Sequence, residues 1–172
     1  WGIPWAAAAV GAKLVFSAGN EPADLCELIR NEHVKFVAGV PTIWIALFHH
    51  IDATEQKMPP ISHILTGGSA MPRALTERFM RAGIRVTHAW GMTETSPVST
   101  VAYEPANWDD LDFDRQLRVK SLQGRPVFGS EVRTVDLDAP GKVLPRDGIS
   151  AGALQVRGPW VVRRYFKAEQ DA

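Results

Sequence analysis

Short apolar runs and helix-period segments alternate along the first half of this chain, and that rhythm narrows the folds open to it. Lys13-Leu14-Val15-Phe16-Ser17-Ala18 reads as a strand. Pro22 then suits a first helical position, with Leu25, Leu28 and Ile29 following at i, i+3, i+4 spacing. The next strand, Lys35 to Val40, is broken by Pro41. Ile43 to Ile51 reads as a helix, apolar almost all round and therefore well buried. Ile61 to Thr66 is a third strand. Gly67-Gly68-Ser69-Ala70 turns the chain into a helix beginning near Pro72, with Leu75, Phe79 and Ala82 inward and Gly83 as its stop. Ile84 to His88 is the fourth strand. Such a succession gives right-handed crossovers and an α/β fold, a mostly parallel sheet with flanking helices on both faces.

Ligands of such sheets collect beyond the carboxyl ends of the strands. Two loops of unusual composition fall there, one after each of two consecutive strands. The first is Gly67-Gly68-Ser69. The second, Ala89-Trp90-Gly91-Met92-Thr93-Glu94-Thr95-Ser96-Pro97, offers an aromatic face, a hydroxyl and a carboxylate within a few residues. Those groups suit a base, a phosphate oxygen and Mg²⁺ respectively. The plainer reading is a strand-to-helix turn with a capping threonine. The nucleotide reading expects the two loops to share one cavity.

Other chemistries have less support. A serine between strand and helix suggests a nucleophile elbow, yet Met71 stands where Gly-x-Ser-x-Gly needs a very small residue. No Asp-then-His pair follows Ser69 in an obvious arrangement. The five histidines make no metal constellation, since His49 and His50 point about 100° apart on a helix. His33 and His63 are isolated. His88 ends the strand that feeds the Trp90 loop and is a candidate pocket residue. Trp1, Trp5 and Trp44 are read first as core packing, with a wall for an apolar substrate as the sharper alternative.

Composition excludes several classes. Lys+Arg and Asp+Glu both number 19, which argues against a nucleic-acid scaffold. The short basic group Arg157, Arg163, Arg164 and Lys167 reads as a solvated face. Cys26 is the single cysteine, in an apolar helical pattern, so it reads as inert packing in a reducing compartment, and the expected location is cytoplasmic. No run approaches the ~20 apolar residues of a membrane span. Trp1 to Val10 is apolar without a basic lead-in or an initiator Met, so the chain reads as an internal segment of a longer one.

Beyond residue 103 the pattern changes. Residues 104–121 are acidic, polar and partly helical, and read as a connection. Glu131 to Asp136 and Leu154 to Arg157 alternate as strands, and Ala139-Pro140-Gly141-Lys142 suits a type II turn. The expected organisation is an α/β subdomain over 1–103, the connection 104–121, and the start of an antiparallel β-rich subdomain over 122–172.

Gly67-Gly68-Ser69-Ala70-Met71-Pro72, Ala89-Trp90-Gly91-Met92-Thr93-Glu94 and Gly152-Ala153-Leu154-Gln155-Val156-Arg157-Gly158-Pro159 resemble, in order, motifs of the adenylate-forming acyl-CoA synthetases. The fatty acyl-CoA synthetase branch is the most similar. Trp1-Gly2-Ile3-Pro4, Val10 to Val15, Ala38 to Trp44 and Gln123-Gly124-Arg125-Pro126 extend the likeness end to end. The resemblance implies an ATP-dependent ligase that forms an acyl-adenylate and then a coenzyme A thioester. It implies Thr93 on a phosphate oxygen, Glu94 as the Mg²⁺ ligand, and Trp90 with Gly91 beside the adenine. Gly68, Ser69 and Ala70 would border adenine and the acyl carbonyl, with His88 and Ala89 on the acyl side. Trp1 would gate an acyl tunnel. The implied partners are a small carboxylic acid, ATP and CoA, with no nucleic acid and a homodimer as a compatible assembly. Ala153 stands where the family usually has Glu, and Arg164 where a Gly-Tyr pair is common, with Tyr165 kept. The family's Gly-rich phosphate loop, ribose-binding Asp and C-terminal lysine fall outside this sequence, so the residues alone are expected to be inactive. A nucleotide- or acyl-binding module without turnover is the non-enzyme alternative, and a hydrolase using Ser69 a remote one.

Overall fold

The computed structural model describes residues 2–168. A short helix α1 (Ile3–Ala9) and helix α2 (Pro22–Asn31) lead into strand β1 (Phe36–Gly39). Helix α3 (Pro41–Thr54), strand β2 (His63–Thr66), helix α4 (Arg73–Arg81) and strand β3 (Arg85–Trp90) follow. The remaining elements are β4 (Thr100–Val101), helix α5 (Phe113–Ser121), β5 (Arg125–Pro126), β6 (Glu131–Val135) and β7 (Ala153–Arg157), with single 3-10 turns at Thr93–Thr95 and Trp108–Asp110. β1, β2 and β3 are parallel neighbours. β4 runs antiparallel to β3 and β5 antiparallel to β4, so four of the five strands point the same way. β6 and β7 form a separate antiparallel pair. The expected α/β class and the antiparallel tail are both present.

Local chemistry explains most of the boundaries. Pro22 and Pro41 open α2 and α3 at positions whose N–H would have no helical partner. α4 ends as its sequence predicts. Gly83 takes φ +73°, its N–H reaches the Met80 carbonyl, and the Ile84 N–H reaches that of Phe79. At α5, Asp112 accepts the Arg115 N–H at 2.8 Å as a side-chain cap. That helix packs on α4 and β3, which places it in the α/β layer.

The core lies on one face of the sheet. Ile64 and Val86, opposite each other in the ladder, meet Cys26 and Ile29 of α2, Leu47 and Phe48 of α3, and Leu75 and Phe79 of α4. Phe79, 0% exposed, takes the edge of Trp44 at 6.2 Å and lies 4.7 Å from Phe48. Cys26 is buried as packing, and burial pushes its thiol pKa up. The other face is more open. Phe36 and Arg85 are exposed there, while His63, Leu65 and Thr87 are half-buried.

Several expectations fail for local reasons. Residues 13–18 form no strand, because no described strand lies beside them to take up their backbone hydrogen bonds. Two helical faces are more exposed than expected: Ile45 on α3 and Ala82 at the end of α4 both face water. Trp5 is 76% exposed, so the core reading holds for Trp44 and not for Trp5. Trp1 lies outside the described residues. The turn at Ala139 closes with the Lys142 N–H on the Ala139 carbonyl at 2.8 Å. Gly141 lacks the positive φ that type II demands at its third residue, so the turn is of another type.

Candidate functional site

β2 and β3 end side by side, with Thr66 opposite His88 in the ladder. β3 runs two residues beyond its expected end, so Ala89 and Trp90 belong to the strand. Gly67 sits against that extension, where a Cβ would lie 2.7 Å from the Ala89 carbonyl oxygen. A cavity of about 490 Å³ opens at these tips. Gly68, Ser69 and Ala70 line it from one loop, and His88, Ala89, Trp90 and Gly91 from β3 and its end. These are seven of the residues singled out in the sequence, brought together in one place.

Two buried polar atoms at the tips have no hydrogen-bond partner among the described residues: Thr66 Oγ1 and His88 Nδ1. Buried polar atoms are normally satisfied, so such a pair calls for a ligand or ordered water. His88 is 2% exposed. Burial lowers its pKa below 6.5 against a smaller opposing effect of the Ser69 backbone, which favours a neutral imidazole.

Thr93 and Glu94 do not enter this cavity. Glu94 lines a neighbouring one of about 950 Å³, between the 92–95 turn and the β6–β7 pair, while Thr93 lines neither. The two cavities share only Val132 and Leu154 as lining residues. The expectation of one space common to 67–70 and 93–94 is therefore corrected to two adjoining spaces. The cause is the turn itself. The Met92 N–H donates to Thr95 Oγ1 at 2.8 Å, and that buried hydroxyl lies 2.9 Å from the Pro97 carbonyl oxygen. The Val162 N–H donates to the Glu94 carbonyl at 2.7 Å, and the Tyr165 phenol to Glu94 Oε1 at 2.5 Å. Glu94 is thus drawn towards the segment after β7. Its carboxyl pKa is lowered, first by the Tyr165 hydrogen bond, and the Tyr165 pKa is raised by the same contact.

The sequence reading assigned no role to Thr95, to Tyr165, or to Val132 and Leu154. The Thr93-x-Thr95 repeat was the available signal for Thr95, since one hydroxyl can staple the turn while the other stays free. Thr93 is exposed, and its hydroxyl bonds to no described residue. Gln123 and Gly124 also line the smaller cavity, so the Gln-Gly-Arg-Pro run carries site residues as well as likeness.

The donors near the turn are oxygens: the Glu94 carboxylate and the Thr93 hydroxyl. No group of three or more His, Cys, Asp or Glu gathers among the described residues. Such a set fits a Mg²⁺ held by one carboxylate together with water and substrate phosphates, and does not fit zinc.

Comparison with known proteins decides the family. Residues 1–166 match the family described as AMP-binding enzyme. The chain belongs to that family. It is 37% identical over 171 residues to the long-chain-fatty-acid–CoA ligase of Thermus thermophilus, covering 99% of this chain and 31% of that protein. Against the medium-chain-fatty-acid–CoA ligase of Ectopseudomonas oleovorans it is 39% identical, covering 98% of this chain and 31% of the relative. Among solved structures, o-succinylbenzoate CoA synthetase of Bacillus subtilis with its acyl-adenylate intermediate superposes with a TM-score of 0.74 at 24% identity. That match covers 96% of this chain and 31% of the other. This AMP-binding family member therefore shares its fold with CoA ligases and spans about a third of their length.

Proposed function

We propose that this chain is part of an ATP-dependent carboxylic acid–CoA ligase of the fatty-acid type, which makes an acyl-adenylate and then a CoA thioester. The carrying observation is the cavity that gathers Gly68, Ser69 and Ala70 with His88, Ala89, Trp90 and Gly91 at two parallel strand tips. A slot lined by small residues from one loop and by Trp90 from the neighbouring strand suits a flat base. Trp90 and Gly91 flank the adenine in this reading, and Ser69 and Ala70 border adenine and the acyl carbonyl. His88, neutral and buried, has Nδ1 available to a polar atom of the acyl group.

Thr93 and Glu94 serve the phosphates. Thr93 offers its hydroxyl to a phosphate oxygen, and Glu94 supplies one carboxylate oxygen to Mg²⁺. Bound there, Mg²⁺ supplies charge neutralisation for nucleotidyl transfer. Glu94 and the strand-tip slot line adjoining cavities that share Val132 and Leu154, which would let one nucleotide reach both. The reaction needs oxygens placed and charge screened more than covalent help. The same reading keeps 1–103 as the subdomain bearing the site, 104–121 as the link and 122–172 as the start of a β-rich subdomain. It places the enzyme in the cytoplasm, supplied with ATP, CoA and a carboxylic acid.

The test is ATP–pyrophosphate exchange by the complete gene product over a panel of short to long carboxylic acids. Glu94→Ala should cut exchange by about 100-fold or more, some 2.7 kcal/mol at the transition state, with circular dichroism unchanged. Near-normal exchange in that variant defeats the assignment. A hydrolase using Ser69 would instead be labelled by a fluorophosphonate. The geometry gives that reading no support, since His88 meets Ser69 through its backbone and no hydrogen bond joins the Ser69 hydroxyl to His88 or to an Asp among the described residues.

A further inference from the structure

Tyr165 lies 71 residues beyond Glu94 and reaches it through one contact, its phenol O–H on Oε1. The ring is otherwise mostly exposed, so it contributes little to any core. Backbone and side chain of Glu94 are held from the same segment, because Val162 donates to the Glu94 carbonyl three residues before Tyr165. The turn beneath is fixed by Thr95. The Glu94 carboxylate is thus anchored through its backbone at one end and by the phenol at the other.

The choice of donor matters. No Lys or Arg pairs with Glu94 among the described residues, and the contributions to its lowered pKa include no neighbouring cation. A guanidinium would orient the carboxylate but cancel its charge. A neutral phenol orients it and leaves the charge for a cation. An ionised carboxylate offers about four acceptor positions, so the bond from Tyr165 and the contact with Glu94's own backbone N–H leave acceptor positions for a cation. Carboxylates that ligate metals are typically held in this way by a hydrogen-bonding neighbour, and loss of the neighbour weakens the metal 10–100-fold.

We propose that Tyr165 is a positioning residue that fixes Oε1 of Glu94 and presents Oε2 to the Mg²⁺ that accompanies ATP. The inference rests on the assignment of Glu94 as the metal ligand under the proposed function. It couples the segment after β7 to the turn after β3, two regions the sequence places far apart.

The experiment uses the complete gene product and Mn²⁺ as the probe. Binding of Mn²⁺ to the enzyme in the presence of ATP is followed by the loss of the free-ion electron paramagnetic resonance signal. Tyr165→Phe should weaken Mn²⁺ about tenfold and raise the Mg²⁺ needed for half-maximal exchange by a similar factor. Its melting temperature, and its KM for ATP at saturating Mg²⁺, should match the wild type. In a Glu94→Gln background the same substitution should add nothing. Wild-type Mn²⁺ affinity in Tyr165→Phe, alongside a loss in Glu94→Gln, overturns the positioning role alone. Wild-type affinity in Glu94→Gln removes the ligand assignment and this inference with it. Equal weakening in both backgrounds marks a merely structural tyrosine and also overturns the proposal.

Discussion

Phe79 in the α/β layer and Leu154 in the β6–β7 pair are both large apolar side chains, but their surroundings differ sharply. Phe79 is enclosed by Trp44 and Phe48, inside a cluster drawn from three helices and two strands. Leu154 is about half exposed and lines two cavities. Its strands are tied at the rim by Arg157–Glu131 and Arg133–Gln155 contacts that face water. The layer is shaped by what it buries. The hairpin is shaped by its ladder and by what it leans against. Burial rewards a periodic sequence and leaves a readable trace; contact between distant segments leaves none.

The largest expected effect tests the layer. Phe79→Ala should cost about 3–5 kcal/mol in urea unfolding, because the ring leaves a cavity that its neighbours refill only in part. Leu154→Ala should cost well under half of that, since much of its surface already meets solvent. Equal costs would break the contrast between the regions. Next comes the seam between them. Gly91 lies so close to the following turn that a Cβ would sit 1.6 Å from the Pro97 carbonyl oxygen. Gly91→Ala should cost about 1–3 kcal/mol through forced backbone movement and should lower nucleotide affinity as well. Unchanged unfolding would show that the turn yields freely.

The smallest effect is a pH dependence. Burial holds the His88 pKa below 6.5, and that of His63 likewise. The unfolded chain therefore binds more protons than the folded one as pH falls through 6.5. Stability contributed by the neutral imidazoles is full above pH 6.5, and it declines on acidification until the histidines charge in the folded chain. His88→Gln should make the fall in urea midpoint between pH 6.5 and 5 shallower. An unaltered slope would assign the acid sensitivity elsewhere.

What the sequence disclosed follows the same division. The Pro22 and Pro41 starts, the Gly83 stop and the inward Leu75 and Phe79 all record local rules, and all are present. The convergence of 68–70 with 88–91 was legible because parallel strands must end on one edge. The strand expected at 13–18 failed because pairing needs a neighbour, which periodicity cannot supply. Thr93 and Glu94 lie outside the slot for a related reason. Their direction is set by Thr95 within the turn and by Val162 and Tyr165 from far along the chain.

Val132 and Leu154, carried on two strands of five residues each, line both cavities. A substitution at either position therefore reshapes the walls of both cavities at once.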